Sequence, residues 1–98
     1  MNAAIYVRLS GADREQGDSL SDQEKMCTAL AEQVGYEVIK VYVDDGVQGS
    51  TPLSDRPGMR QALDDVDTYD VLLARDFSRL SRRQRIFWEI MGEFEDLG

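Results

Sequence analysis

From Ala4 to Leu9 the chain alternates, with Ile5, Val7 and Leu9 on one face and Tyr6, Arg8 and Ser10 on the other. That period of two predicts a β-strand. Gly11 to Asp18 is polar and contains glycine, which predicts a loop. Ser21 and Glu24 then stand at capping-box spacing, and Met26, Leu30 and Val34 form an apolar stripe at helical period. Gly35 is placed to end that helix. Tyr36 to Val43 is rich in β-formers and predicts a second strand.

Asp44 to Asp55 collects Gly46, Gly49, Ser50, Thr51, Pro52 and Ser54 without periodicity. A loop of that length inside a compact domain points to a functional or mobile segment more than to a mere connector. Pro57 suits the first turn of a helix whose apolar face is Met59, Leu63 and Val66. Val71 to Ala74 is nearly all apolar, as in a central strand buried on both faces. Ser81 and Gln84 make a second capping box, followed by Ile86, Phe87, Ile90, Met91, Phe94 and Leu97 at helical spacing, with Gly92 a mild interruption. Strand and helix alternate throughout, so the fold class is α/β with a mainly parallel sheet and flanking helices. The site of such a sheet is expected at the carboxyl ends of its strands. The chain closes at Gly98 as the last helix finishes, which is expected of a truncated domain.

Composition narrows the chemistry. A length of 98 residues predicts one domain, and 42% hydrophobic with 31% charged residues is ordinary for a soluble globule. No apolar run reaches the roughly 18 residues of a membrane helix, and the N-terminus lacks a signal-peptide pattern. One cysteine, Cys27, and no histidine exclude an internal disulfide, a His/Cys zinc site and histidine general-base catalysis within these residues. A cytoplasmic location without a membrane partner is the simplest expectation.

Net charge is −8, which argues against broad nucleic-acid binding. The distribution changes that picture. Five of the 11 basic residues are arginines between Arg75 and Arg85, with Asp76 the one acid among them. Ser81 caps a helix, so Arg82 and Arg83 fall in its first turn, where the macrodipole disfavours cations by up to about 1 kcal/mol each. Arginines set against the dipole fit an anion resting among them. Arg8, inside the first strand, also needs an anionic partner, either a local carboxylate such as Asp44, Asp45 or Asp70 or a bound anion. Arg56, by itself, reads as a surface arginine at the edge of the long loop.

Taken together, the residues resemble the catalytic domain of the serine recombinases, the resolvase, invertase and large serine integrase family. The matching pieces are Tyr6-Val7-Arg8-Leu9-Ser10, Ser19-Leu20 with Gln23, and Asp45-Gly46-Val47-Gln48-Gly49-Ser50. Asp55-Arg56-Pro57-Gly58, Asp70-Val71-Leu72-Leu73 and Ser78-Arg79-Leu80-Ser81-Arg82 follow in order. Each piece is weak alone, and the ordered set across nearly the whole chain is strong. The long loop and the Asp-Arg-Pro-Gly element resemble the large integrase or transposon-type members more than the small resolvases. Ser78 stands where many members have an aspartate, a trait shared with other transposon-type members, which leaves open the acid that orients the arginines, Asp76 being one candidate.

The resemblance implies a three-layer resolvase-like domain over residues 1–98, without the oligomerisation helix and DNA-binding domains of the whole protein. It implies Ser10 as nucleophile, Arg8, Arg56, Arg79 and Arg82 around the scissile phosphate, and Gln23 and Asp70 in support. The implied partners are recombination-site DNA and further copies of the chain, as dimer to tetramer. No metal or cofactor is implied. The residue inventory is consistent with this, because phosphoryl transfer asks mainly for positioning and charge stabilisation. Guanidiniums supply both when histidine is absent.

Two rivals come from other classes. A metal-dependent nuclease or phosphatase would use Asp44, Asp45, Asp70 and Asp76, but leaves the arginines unexplained. An inert interaction domain predicts that the Ser10 hydroxyl does nothing.

Overall fold

The computed structural model describes residues 1–75. The predicted capping box at Ser81 and Gln84, and the helix after it, lie outside the described residues. Within them the elements are β1 (Asn2–Leu9), α1 (Gly11–Glu15), α2 (Leu20–Val34), β2 (Glu37–Asp45), α3 (Pro57–Asp64) and β3 (Val71–Leu73). Short 3-10 turns occupy Leu53–Asp55 and Val66–Thr68. The three strands are parallel in the order β2-β1-β3, so the α/β expectation is met.

β1 is the middle strand, and every residue from Ala3 to Leu9 is buried. Its two faces feed two cores. Ala4 and Tyr6 pack with Met59, Ala62 and Leu63 of α3, together with Tyr42, Leu53 and Tyr69. Ile5 and Val7 pack with Cys27 of α2, and Leu20, Val38, Val41 and Leu73 close that side. Helices thus cover both faces of the sheet, as parallel strands require. Each large apolar side chain buried this way contributes about 1.5–3 kcal/mol. The two-sided burial expected of Val71–Ala74 belongs to β1 instead. Val71–Leu73 pairs along Ala3–Ile5 and stays partly exposed among the described residues.

The polar stretch after β1 is not all loop. Gly11–Glu15 is a short helix because Ser10 and Asp13 form a complete capping box. α2 likewise starts earlier than the Ser21–Glu24 spacing suggests. Ser19 is its N-cap and accepts from the Asp22 N–H at 3.0 Å. Gly35 ends it at φ 81°, a left-handed conformation natural to glycine, and the Tyr36 N–H donates to the Ala31 carbonyl at 2.8 Å.

The apolar stripe of α2 faces the other way from expectation. Met26, Leu30 and Val34 are 58%, 46% and 50% exposed, whereas Gln23, Cys27 and Ala31 are buried against the sheet. Both rows have the same helical period, so spacing alone does not choose between them. Polar Gln23 wins a buried place because both ends of its amide are satisfied. Its Oε1 accepts from the Arg8 N–H (3.2 Å) and its Nε2 donates to the Arg8 carbonyl (2.8 Å).

α3 opens with Pro57 in its first turn, as predicted. Its N-cap, Arg56, offers no side-chain cap. The first N–H groups are met instead from β2, where Asp44 accepts from Gly58 (2.6 Å) and Met59 (3.1 Å). That contact presses the helix onto the strand. A Cβ at Gly58 would lie 2.6 Å from the Val43 carbonyl oxygen and 2.9 Å from the Asp44 carboxyl carbon. Gly58→Ala is therefore expected to destabilise by about 1–3 kcal/mol despite alanine's better helix propensity. Thermal unfolding should show a melting temperature lower by roughly 4–8 °C for each kcal/mol. A rise would mean that the close approach is absent.

Candidate active site

Ser10 follows the carboxyl end of β1, at the end of the sheet where α/β sites form. Strand geometry ends on it, and its extended backbone (φ −93°, ψ 169°) makes it the N-cap of α1. Ser10 is only 5% exposed, and it is tied to Asp13 by three hydrogen bonds, two through its hydroxyl and one through its backbone N–H. Ser10 Oγ donates to Asp13 Oδ2 at 2.9 Å, the Asp13 N–H donates back to Oγ at 3.1 Å, and the Ser10 N–H donates to Oδ2 at 3.2 Å. Arg8 Nη1 lies 3.6 Å from the same Oδ2. A hydroxyl, a carboxylate and a guanidinium thus meet in one buried cluster. Arg8 within β1 and Ser10 just beyond its end both meet the Asp13 carboxylate.

The long loop after β2 wraps this cluster through its own carbonyls. Arg8 Nη1 donates to the Val47 carbonyl at 2.8 Å. Arg56, fully buried and not on the surface, donates from Nη2 to the Gly49 carbonyl (2.7 Å) and from Nε to the Thr51 carbonyl (3.0 Å). Two guanidiniums therefore hold alternate carbonyls of one segment. Gln48, Gly49 and Ser50 of that segment join Ser10 and Ala12 in lining a cleft of about 210 Å³. The long loop thus lies beside Ser10 at this cleft.

The remaining residues sort by position. Gln23 fixes the backbone of Arg8, as described above. Its Nε2 also reaches Asp18 Oδ2 (3.4 Å), and Asp18 receives both terminal nitrogens of Arg75 at 2.8 and 3.0 Å. Arg75 is thereby drawn to the Ser10 end of the sheet. Asp70 is not. Its carboxylate accepts from the Asn2 N–H at 2.7 Å, at the opening of β1. Parallel pairing of Ala3 with Val71 fixes it there, about 25 Å along the strand from Ser10 at roughly 3.3 Å per residue. The expectation that Asp70 supports the pocket is corrected accordingly. Asp76, Arg79 and Arg82 lie outside the described residues.

The described carboxylates named by the metal-site rival, Asp44, Asp45 and Asp70, have other partners. Asp44 is 1% exposed and accepts from the Tyr6 hydroxyl (2.7 Å) besides the two α3 N–H groups. Burial first, and then the Asp44 charge, push the Tyr6 phenol well above its ordinary range, so it remains a donor to Asp44. Asp45 pairs with Arg14 at 2.7 Å on the surface. Among the described residues, no group of three or more His, Cys, Asp or Glu side chains converges on a metal position.

Asp13 and Asp18 contact the candidate site residues and were not singled out by the sequence reading. The available signal was Ser10-x-x-Asp13 directly after a strand, a capping pattern with a short acid at its third position.

Residues 3–98 match the family model described as Resolvase, N terminal domain. The N-terminal catalytic domain of TP901-1 integrase is similar in structure, with a TM-score of 0.71 and 28% identity over 92% of this chain and 72% of that one. The C-terminal catalytic domain of ISC1926 TnpA, an IS607-like serine recombinase, is similar with a TM-score of 0.81 and 29% identity. That match covers 100% of this chain and 66% of the other, so this chain spans about two thirds of that domain. A three-stranded parallel sheet with helices on both faces agrees with the match over nearly every residue. The chain belongs to the resolvase family and is a serine recombinase catalytic domain.

Proposed function

We propose that this domain cleaves and rejoins DNA by attack of Ser10 Oγ on a backbone phosphate, leaving a 5′-phosphoserine link and a free 3′-hydroxyl. The carrying observation is the buried cluster of Ser10 and Arg8 at the edge of the loop cleft. Energy of the broken phosphodiester stays in the serine ester, so rejoining needs no nucleotide. Arg8 and Arg56 are the described guanidiniums proposed to grip the phosphate, and both already hold acceptor oxygens of the loop. A phosphate's oxygens would take the place of such carbonyls, with the bidentate geometry that arginine suits. Arg79, Arg82 and Asp76 complete the proposed set from the segment beyond. The proposed partners are recombination-site DNA and further copies of the recombinase. With a net charge of −8, these 98 residues alone are expected to bind DNA weakly and not to recombine it.

The test uses the full-length recombinase and its recombination-site DNA, in EDTA. Cleavage should proceed and leave protein covalently on the 5′ ends, with 3′-hydroxyls that a polymerase extends. Cleavage only with added divalent metal, leaving no protein on the DNA, would return the reading to Asp44 and Asp45. An inert interaction domain would give no cleavage at all.

A further inference from the structure

We infer that Asp13 is the proton acceptor for Ser10 in the cleavage step, an inference resting on Ser10 being the nucleophile. The Ser10 Oγ–H already points along a 2.9 Å hydrogen bond to Asp13 Oδ2, within the reach a general base requires. Asp13 is 3% exposed, so solvent does not readily compete for that proton. Its own N–H donates to Oγ, which leaves the second lone pair of the oxygen for bond formation. One residue thus aims the hydroxyl and stands ready to take its hydrogen. Histidine, the usual base beside a serine, does not occur in the chain.

The step balances as follows. The Oγ–P bond forms as the P–O3′ bond breaks, the Ser10 proton passes to Asp13 Oδ2, and the departing O3′ takes a proton from solvent water. Rejoining runs in reverse, with Asp13 returning its proton to Oγ. Among the described residues, Arg8 on β1 faces the Asp13 carboxylate at 3.6 Å. Arg14, next along α1, is turned to Asp45, and Asp18, before α2, is turned to Arg75 and Gln23. Arg8 stays charged at every working pH and balances the ionised carboxylate between turnovers.

The experiment compares wild type, Asp13→Asn and Asp13→Glu in the full-length recombinase under single-turnover conditions. Asparagine keeps the acceptor oxygen and the helix cap but not the basicity, and glutamate keeps the basicity with a longer reach. Asp13→Asn should cut the cleavage rate by about 10²-fold or more, with the DNA still joined to Ser10. Its rate should then climb about tenfold per pH unit between about pH 6 and 9, because hydroxide replaces the lost base, while wild type stays nearly level. Asp13→Glu should recover part of the rate and the level profile. An unchanged rate, or a slower rate with the wild-type pH profile in both variants, would overturn the assignment and leave Asp13 a cap alone. Absence of a Ser10 adduct in the wild type would instead remove the proposed function, and this inference with it.

Discussion

Replacing Ser10 with alanine is expected to abolish the covalent DNA adduct and to slow strand cleavage by at least about 10⁴-fold, the scale on which loss of a covalent nucleophile is felt. The fold should survive. Ser10 caps a helix of five residues, and loss of such a cap costs about 1 kcal/mol. The same substitution removes a donor to Asp13, but the Ser10 backbone N–H still reaches that carboxylate and Arg8 remains beside it. Circular dichroism should therefore change little, and the melting temperature should fall by only roughly 4–8 °C, while chemistry vanishes. A gel assay of cleavage, run beside the melting curve, separates the two effects. Retained cleavage in the alanine variant would assign the nucleophile to another hydroxyl.

Arg8 is expected to show the opposite mixture, large effects on both stability and chemistry. Its guanidinium is fully buried, lies 3.6 Å from buried Asp13 and anchors the Val47 carbonyl at 2.8 Å. Arg8→Ala strands a buried carboxylate and frees the loop, and breaking a buried pair from one side costs about 3–5 kcal/mol. For a domain of this size that lowers the melting temperature by more than roughly 10 °C. Arg8→Lys keeps a charge near Asp13 but not the fork that spans carboxylate, carbonyl and phosphate. It should fold with a smaller loss and still cleave at least about 10²-fold more slowly, the cost of one transition-state donor. Wild-type cleavage by the lysine variant would show that Arg8 serves only the fold.

The sheet and its order of elements were legible because the strand runs of β1 and β2 and the punctuation at Gly35 and Pro57 obey local rules. Ser10 and Arg8 were legible for the same reason, since alternation alone predicts them on one face. What escaped depends on contacts between elements distant in sequence. Gln23 displaces an apolar stripe from the core because the backbone of Arg8 offers it a donor and an acceptor together. Asp44 looks like a loop or metal-site carboxylate until α3 presents its unmet N–H groups to it. Arg56 looks like a surface residue until the loop folds its carbonyls inward. Asp70 and Ser10 flank strands of one sheet, and only the register of β3 on β1 shows that the two lie at opposite ends.

The site itself was legible as a set of residue types rather than as a geometry. Asp13 was hidden in a polar stretch whose glycine suggested a turn. Its place became evident only once the hydroxyl of Ser10 was seen to close a capping box with it.

The most direct test is to trap the covalent product of the full-length recombinase on its own DNA, digest both components and locate the nucleotide by mass spectrometry. A nucleotide esterified through its 5′-phosphate to the peptide containing Ser10, at the Ser10 hydroxyl, is the predicted result. Attachment at Tyr6 or Ser81, or a phosphate retained on the 3′ end, would contradict the mechanism at its first bond.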